Sequence, residues 1–196
     1  MIYIKDNFID KPFFKIIRSH LQSNEYKKID VGDTNFYIQQ SNEDFNNYIT
    51  LRLEEIEQCK ITNVLSFFRL STDVLDTNWR IHSDLNVNGQ RPDRALVLYL
   101  SPTERTDLHG TAFWEHYIHG KELPLQITDE EYDNTIKLDS HDLNKWDLKS
   151  VIGYEKNRLI SYPANYFHSK YPNEGWKEGR EVFVMFYKTN TNETKR

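Results

Sequence analysis

The sequence has one cysteine, Cys59, so no disulfide can form within the chain and nothing suggests a secreted disulfide scaffold. It has no apolar run of membrane-spanning length, and residues 1–7 have no apolar signal core. Basic residues are not in excess: the net charge is −5, whereas a nucleic-acid-binding protein normally has a basic face. We therefore expect a cytoplasmic protein with no nucleic-acid or membrane partner.

The composition supports one domain with a substantial core. The 196 residues are 38% hydrophobic and 14% aromatic, and large rings fill an interior efficiently. We expect a single domain over residues 1–196, with supporting helices and strands in 1–60 and a β core in 61–188. Residues 116–148 interrupt the strand pattern and hold seven acids between Glu122 and Asp142, which indicates an inserted loop or lid.

Hydrophobic spacing predicts two helices followed by many short strands. The first helix follows Asp10 as its cap, with Pro12 in its first turn, and the second follows Ser41 as its cap. A turn is expected at Gly32 and Asp33. Strands are expected at residues 2–4, 35–39, 63–71, 79–83, 94–101, 111–117, 159–162 and 181–188. Many short strands with few helices among them predict a mainly β fold, a sandwich or barrel.

Three residues are candidate metal ligands. His82 and Asp84 stand two apart in an extended segment, so their side chains point to the same face. His168 lies far along the chain and could supply a third ligand, because two histidines and one carboxylate bind non-haem iron while leaving coordination positions open. The alternative is that the histidines are hydrogen-bonded structural residues and that the three side chains do not meet.

Two further residues are candidate ligand-binding groups. Arg180 begins an apolar strand and shares a face with Val182, Val184 and Phe186, so it could place a guanidinium at the mouth of an apolar pocket. Such a cation would pair with a carboxylate, and the Tyr99 hydroxyl could bind the same group. The alternatives are a surface arginine beside acidic neighbours and a tyrosine that belongs to the core.

The order of these segments resembles a known family. It runs Trp79-Arg-Ile-His82-Ser-Asp84, Ala95-Leu-Val-Leu-Tyr99-Leu, Gly110-Thr-Ala-Phe113, Asn157-Arg-Leu-Ile-Ser-Tyr-Pro163, His168 and Gly179-Arg180. Residues 79–187 are similar to the catalytic core of the 2-oxoglutarate- and Fe(II)-dependent dioxygenases, nearest the prolyl 4-hydroxylase-like branch. The family's usual glycine pair is His109-Gly110 here, and the spacing from the distal histidine to the arginine is slightly long.

This resemblance implies a double-stranded β-helix, or jelly roll, with flanking helices. It implies that His82, Asp84 and His168 bind Fe(II), that Arg180 and Tyr99 bind the distal carboxylate of the cosubstrate 2-oxoglutarate, and that O2 is consumed. The product would be a hydroxylated peptide side chain or small molecule, with release of succinate and CO2. Asn165 or Ser169 would then orient the ligand imidazoles.

Other functions remain possible at this point. A nucleic-acid dealkylase of the same fold generally has a second arginine where this chain has Phe186, and the acidic balance also argues against it. A cupin-like barrel could bind a metal without oxidising anything. The acidic insertion hints at a basic or zwitterionic substrate. His109, His116 and His119 form a second histidine cluster, which we interpret as solvated loop residues rather than as a metal site.

Overall fold

The computed structural model describes residues 1–31, 34–101, 109–172 and 179–190, so the turn expected at Gly32 and Asp33 lies outside the described residues. The elements are β1 Tyr3–Lys5, α1 Lys11–Ser23, β2 Lys27–Val31, β3 Thr34–Gln40, α2 Glu43–Glu57, β4 Lys60–Ser71, β5 Arg94–Tyr99, β6 Gly110–His116, α3 Asp129–Asp139, β7 Trp146–Gly153, β8 Leu159–Pro163, β9 His168–Tyr171 and β10 Arg180–Asn190. A short 3-10 helix, Leu143–Lys145, precedes β7. Within the described ranges, no helix combines the length and the apolar character that crossing a membrane requires.

A large antiparallel sheet forms the scaffold, with strand order β1-β8-β5-β10-β4-β3-β2. One face packs against α1 and α2 through side chains such as Phe14, Ile49, Phe68 and Phe183. Because the other face also packs against protein, β5 is buried on both faces, as its continuous apolar sequence predicts. The helices thus cover the outer face of this sheet and leave its inner face for a second sheet.

The second sheet is small, with strand order β7-β6-β9. Its inner face and that of the large sheet enclose an apolar cluster that includes Val97, Phe113, Ile160 and Val182. Two antiparallel sheets packed in this way form the predicted jelly roll. The expected strands of the core are confirmed except residues 79–83, and β7 and β9 were not predicted.

The region at 116–148 contains regular structure rather than only a loop. Helix α3 begins with a capping box between Thr128 and Glu131. The sequence pattern did not predict this helix, because the helix is polar and Ile136 is its only buried residue. Ile136 joins a third apolar cluster with Leu123 and Trp146. The second helix also begins one residue later than predicted: Asn42 is its cap, while the Ser41 hydroxyl binds Ser66.

A buried polar network joins α2 to three strands of the large sheet. Glu57 accepts hydrogen bonds from Arg94 Nε at 2.7 Å and from the Tyr187 hydroxyl at 2.7 Å. Tyr187 also lies 2.7 Å from the Ser161 hydroxyl. The Arg94 and Glu57 side chains are only 11% and 8% exposed, so each charge depends on the other for compensation.

We expect Glu57→Gln to destabilise the fold by about 3–5 kcal/mol, because it leaves the Arg94 guanidinium buried without its carboxylate. Urea unfolding measures the change. Glu55→Gln is the matched control: Glu55 is 68% exposed and only 3.8 Å from Arg52, so its loss should cost less than about 0.5 kcal/mol. Equal effects of the two substitutions would contradict the assignment of Glu57 to the core.

Candidate metal centre

His82 and His168 are paired through their backbones. His82 N donates to His168 O at 3.0 Å, and His168 N donates to His82 O at 2.8 Å. This is an isolated bridge, so the prediction of a strand over residues 79–83 is wrong. The segment is extended without belonging to a sheet ladder, and its single bridge brings it to the end of β9.

Side chains nevertheless alternate along this segment as they would along a strand. Ile81, Ser83 and Leu85 are buried, whereas His82 and Asp84 are half-buried. Ile81 and Leu85 pack into the third apolar cluster, which orients the other face toward the space between the sheets. The assumption that His82 and Asp84 share a face is therefore confirmed, although the segment is not a strand.

The structure brings together the three predicted ligands. His168 Nε2 lies 3.3 Å from Asp84 Oδ2, and His82 Nε2 lies 3.7 Å from Asp84 Oδ1. One donor atom from each residue can be chosen so that all lie within 4.8 Å of one another. Among the residues that the structure describes, no other group of three histidines, cysteines or acids meets this criterion.

Backbone carbonyls orient the two imidazoles. His82 Nδ1 lies 3.2 Å from Arg80 O, and His168 Nδ1 lies 3.1 Å from Tyr166 O. A proton on each Nδ1 satisfies these carbonyls and leaves each Nε2 lone pair directed to Asp84.

The predicted orienting role of Asn165 and Ser169 is wrong. The Asn165 amide donates to Leu123 O, and the Ser169 hydroxyl donates to the Lys170 carbonyl. Both side chains stabilise the backbone next to the site. The backbone carbonyls two residues before each histidine orient the imidazoles instead.

The electrostatics favour the protonation states that bind a cation. Burial, with His168 as the second cause, holds the pKa of His82 well below its usual 6.5. Burial raises the pKa of Asp84, but His168, His82 and Arg80 together outweigh it and leave the pKa below 3.8. At neutral pH the site therefore presents a neutral imidazole and an ionised carboxylate, as metal binding requires.

Arg180 and Tyr99 lie between the two sheets, as predicted. Arg180 is 5% exposed, and its Cζ lies 5.5 Å from the centre of the Tyr99 ring. The Tyr99 hydroxyl lies 2.8 Å from the Thr111 hydroxyl on β6, across the interior. Burial lowers the pKa of Arg180, and the interaction with Tyr99 opposes that change. Arg180 is thus an interior cation, and the alternative of a surface arginine is wrong.

Tyr162 connects this pair to the three predicted ligands. It is 1% exposed, and its ring lies 4.7 Å from that of His168. Burial, followed by the charge of Asp84 and by Tyr99, raises the pKa of Tyr162 well above 10. Its position was not predicted, although the alternation of β8 places it on the inner face with Ile160.

Sequence reasoning also missed a buried ionic cluster behind the site. The Asp76 carboxylate, 0% exposed, lies 2.5 Å from Arg69 Nε and 3.4 Å from Lys170 Nζ. Lys170 also donates to Asp76 O at 2.7 Å. Burial is the main cause that lowers the pKa of Lys170 to about 7, and Arg69 adds to it. An arginine inside the apolar strand β4 and a lysine two residues after His168 were the available signals.

The second histidine cluster is not a set of solvated loop residues. His116 is 2% exposed and its Nε2 lies 3.0 Å from Asp139 Oδ2, while His109 is 8% exposed. His116 and His119 stack with ring centres 5.1 Å apart. The interpretation as solvated residues is therefore wrong for His109 and His116. The contact between His116 and Asp139 links β6 to α3.

Comparison with known proteins supports the fold. No protein-family model and no curated protein matches the sequence. The chain is similar in structure to HygX from Streptomyces hygroscopicus with nickel, 2-oxoglutarate and hygromycin B bound, with a TM-score of 0.59 and 13% identity over 100% of this chain and 85% of HygX. It is also similar to a Pseudomonas putida prolyl-4-hydroxylase, with a TM-score of 0.57 and 11% identity over 96% and 92% of the two chains.

A third similar structure is SnoK, a non-heme alpha ketoglutarate dependent carbocyclase from nogalamycin biosynthesis. Its TM-score is 0.63 at 9% identity, over 95% of this chain and 78% of SnoK. HygX was thus solved with 2-oxoglutarate bound, SnoK is alpha ketoglutarate dependent, and the Pseudomonas protein is a prolyl-4-hydroxylase. At these identities the likeness establishes a shared jelly-roll fold, which is the fold that the resemblance in sequence predicted.

We expect Asp76→Asn to cost about 3–5 kcal/mol of stability and to weaken metal binding, because it removes the only carboxylate in this buried ionic cluster from Arg69 and Lys170. Asparagine tolerates the left-handed φ of 51° at this position, so the substitution tests charge rather than backbone strain. Urea unfolding and Fe(II) titration measure the two effects. Asp73→Asn, at an exposed position of the same loop, is the control. A loss of less than about 1 kcal/mol for Asp76→Asn would contradict this prediction.

Proposed function

We propose that the protein is a 2-oxoglutarate- and Fe(II)-dependent oxygenase that hydroxylates an unactivated C–H bond of its substrate. The proposal rests on one observation: His82, Asp84 and His168 come together inside the jelly roll. Arg180 and Tyr99 lie in the same interior. The sequence suggested a separate role for each group, and the proximity of the groups to one another supports those roles.

The side chains fit a divalent iron ion. Two imidazoles with their Nδ1 atoms held by carbonyls, and one ionised carboxylate, form the two-histidine and one-carboxylate donor set of non-haem Fe(II) oxygenases. His82 Nε2, His168 Nε2 and an Asp84 oxygen would hold the ion. Such a set leaves coordination positions for a cosubstrate and O2.

The interior also fits a dicarboxylate. Arg180 would bind its distal carboxylate through the planar guanidinium, and the Tyr99 hydroxyl would donate a hydrogen bond to the same group. Tyr162 and Phe113, whose rings pack 5.2 Å apart, would exclude water between this carboxylate and the metal ligands. When bound, iron and 2-oxoglutarate supply the oxidising chemistry that activates O2, with succinate and CO2 as products.

We infer a small molecule or a peptide side chain as the substrate. Among the structural neighbours, HygX was solved with hygromycin B bound, and another is a prolyl-4-hydroxylase. The dealkylase alternative is less well supported, because Phe186 belongs to the apolar interior cluster where an arginine would be needed. A binding module without turnover is the second candidate, since the same ligands would bind a metal in either protein.

We expect anaerobic addition of Fe(II) and 2-oxoglutarate to the wild-type protein to produce a visible charge-transfer absorption band. His82→Ala should abolish it, because loss of a direct ligand should weaken iron binding by more than about 100-fold. Arg180→Ala should raise the 2-oxoglutarate concentration needed by about 30-fold or more, because a buried charge pair is lost. Exposure to air should then convert 2-oxoglutarate to succinate.

His20→Ala is the matched control, because His20 lies on α1, on the opposite side of the large sheet from the proposed site. It should leave the band and the titration unchanged. Absence of the band in a folded wild-type protein would reject the proposal. A band without succinate formation in the presence of O2 would instead favour the binding module.

A further inference from the structure

Arg80 differs from the other partly buried arginines of the described chain. Arg18, Arg69, Arg94 and Arg158 each pair with a carboxylate. Among the described residues, the Arg80 side chain has no hydrogen bond, ion pair or ring contact, although it is half-buried. A partly desolvated cation normally has a counter-charge, because burial removes part of its hydration.

Arg80 lies on the same side of its segment as the metal ligands. Burial alternates from Arg80 to Leu85, so Arg80 shares the half-buried face of His82 and Asp84. Tyr132 of α3 contacts the same segment, because its hydroxyl donates to Ser83 O at 2.8 Å. Arg80 therefore shares the face of the metal ligands, in a segment that α3 contacts at Ser83.

Four acids of the 116–148 region have partners of their own. Asp129 pairs with Arg91, Asp133 with Lys137, and Asp139 with His116, while Glu131 caps its own helix. Asp84 is a carboxylate on the same face as Arg80, and a divalent ion held there would take its negative charge. These contacts occupy four of the seven acids that suggested a basic or zwitterionic substrate.

We propose that Arg80 is a specificity-determining residue that binds an oxyanion group of the substrate, a carboxylate or a phosphate, beside the metal centre. The inference rests on the proposed function and adds the substrate class to it. A planar guanidinium fork matches the paired oxygens of either group and does not match a neutral amide. The oxyanion would supply the counter-charge and would hold the substrate at one end, leaving its C–H bond over the metal.

The test measures the binding of three probes that share a phenyl ring: phenylacetate, phenyl phosphate and the neutral phenylacetamide. Binding is followed by ligand-detected NMR on the full chain with Zn(II), which is diamagnetic, and saturating 2-oxoglutarate to fill the Arg180 site. We expect at least one oxyanion probe to bind wild type about 10-fold or more tightly than the amide. Arg80→Gln should abolish this preference. In wild type, the oxyanion probe that binds more tightly shows whether Arg80 recognises a carboxylate or a phosphate.

Two variants locate the effect. Arg52→Gln removes an arginine that is 42% exposed on α2 and should leave the preference unchanged. Arg180→Gln, tested without 2-oxoglutarate, should also keep it, because the probes bind at Arg80. Equal affinity of wild type for all three probes, a preference that survives Arg80→Gln, or one lost in Arg180→Gln would overturn the inference.

Folding and function are controlled separately. The urea midpoint of Arg80→Gln should match that of wild type, because Arg80 has no partner among the described residues, and a large drop would count against the inference. The absorption band with Fe(II) and 2-oxoglutarate is recorded on wild type alone, without any probe. A normal band together with no oxyanion preference rejects the role of Arg80 and leaves the proposed oxygenase standing, whereas absence of the band rejects the oxygenase.

Discussion

The backbone bridge between His82 and His168 is the constraint on which the rest of the site depends. Its two hydrogen bonds join an extended segment outside both sheets to the first residue of β9. The same bridge sets the ring centres 4.4 Å apart and brings Asp84 within reach of both imidazoles. Buried alternate residues fix which face of the segment is turned inward, so backbone pairing and core packing together define the donor set.

The layers of the fold explain how charged groups can lie inside it. The helices cover one face of the large sheet, and the small sheet covers the other, so that β10 presents Arg180 to an enclosed space. Arg69 and Lys170 enter the same interior and are compensated by Asp76. The interior therefore combines apolar walls with a compensated ionic cluster and with Arg180, a buried cation beside Tyr99.

The features predictable from sequence were those set by local alternation. The shared face of His82 and Asp84 follows from a two-residue period, which holds even where no ladder forms. The inward position of Arg180 follows from the same period along an apolar strand. His168 was a candidate third ligand from the start, but its spacing along the chain does not specify it, and the resemblance to a known family supplied the support.

The features that were missed depend on long-range pairing or on polar sequence. The cluster of Arg69, Asp76 and Lys170 joins β4 and the loop after it to β9, which belongs to the other sheet. Helix α3 buries one residue, and its acids act as caps and ion-pair partners, so its composition resembled a loop. The roles of Asn165 and Ser169 were misassigned because backbone carbonyls leave no sequence signature.

The most direct test of the central claim is anomalous diffraction at the iron absorption edge, from crystals grown anaerobically with Fe(II) and 2-oxoglutarate. The account predicts one strong peak bound by His82 Nε2, His168 Nε2 and an Asp84 oxygen, with the cosubstrate carboxylate reaching Arg180. A strong peak elsewhere, or fully occupied 2-oxoglutarate with no metal between these three side chains, would contradict it.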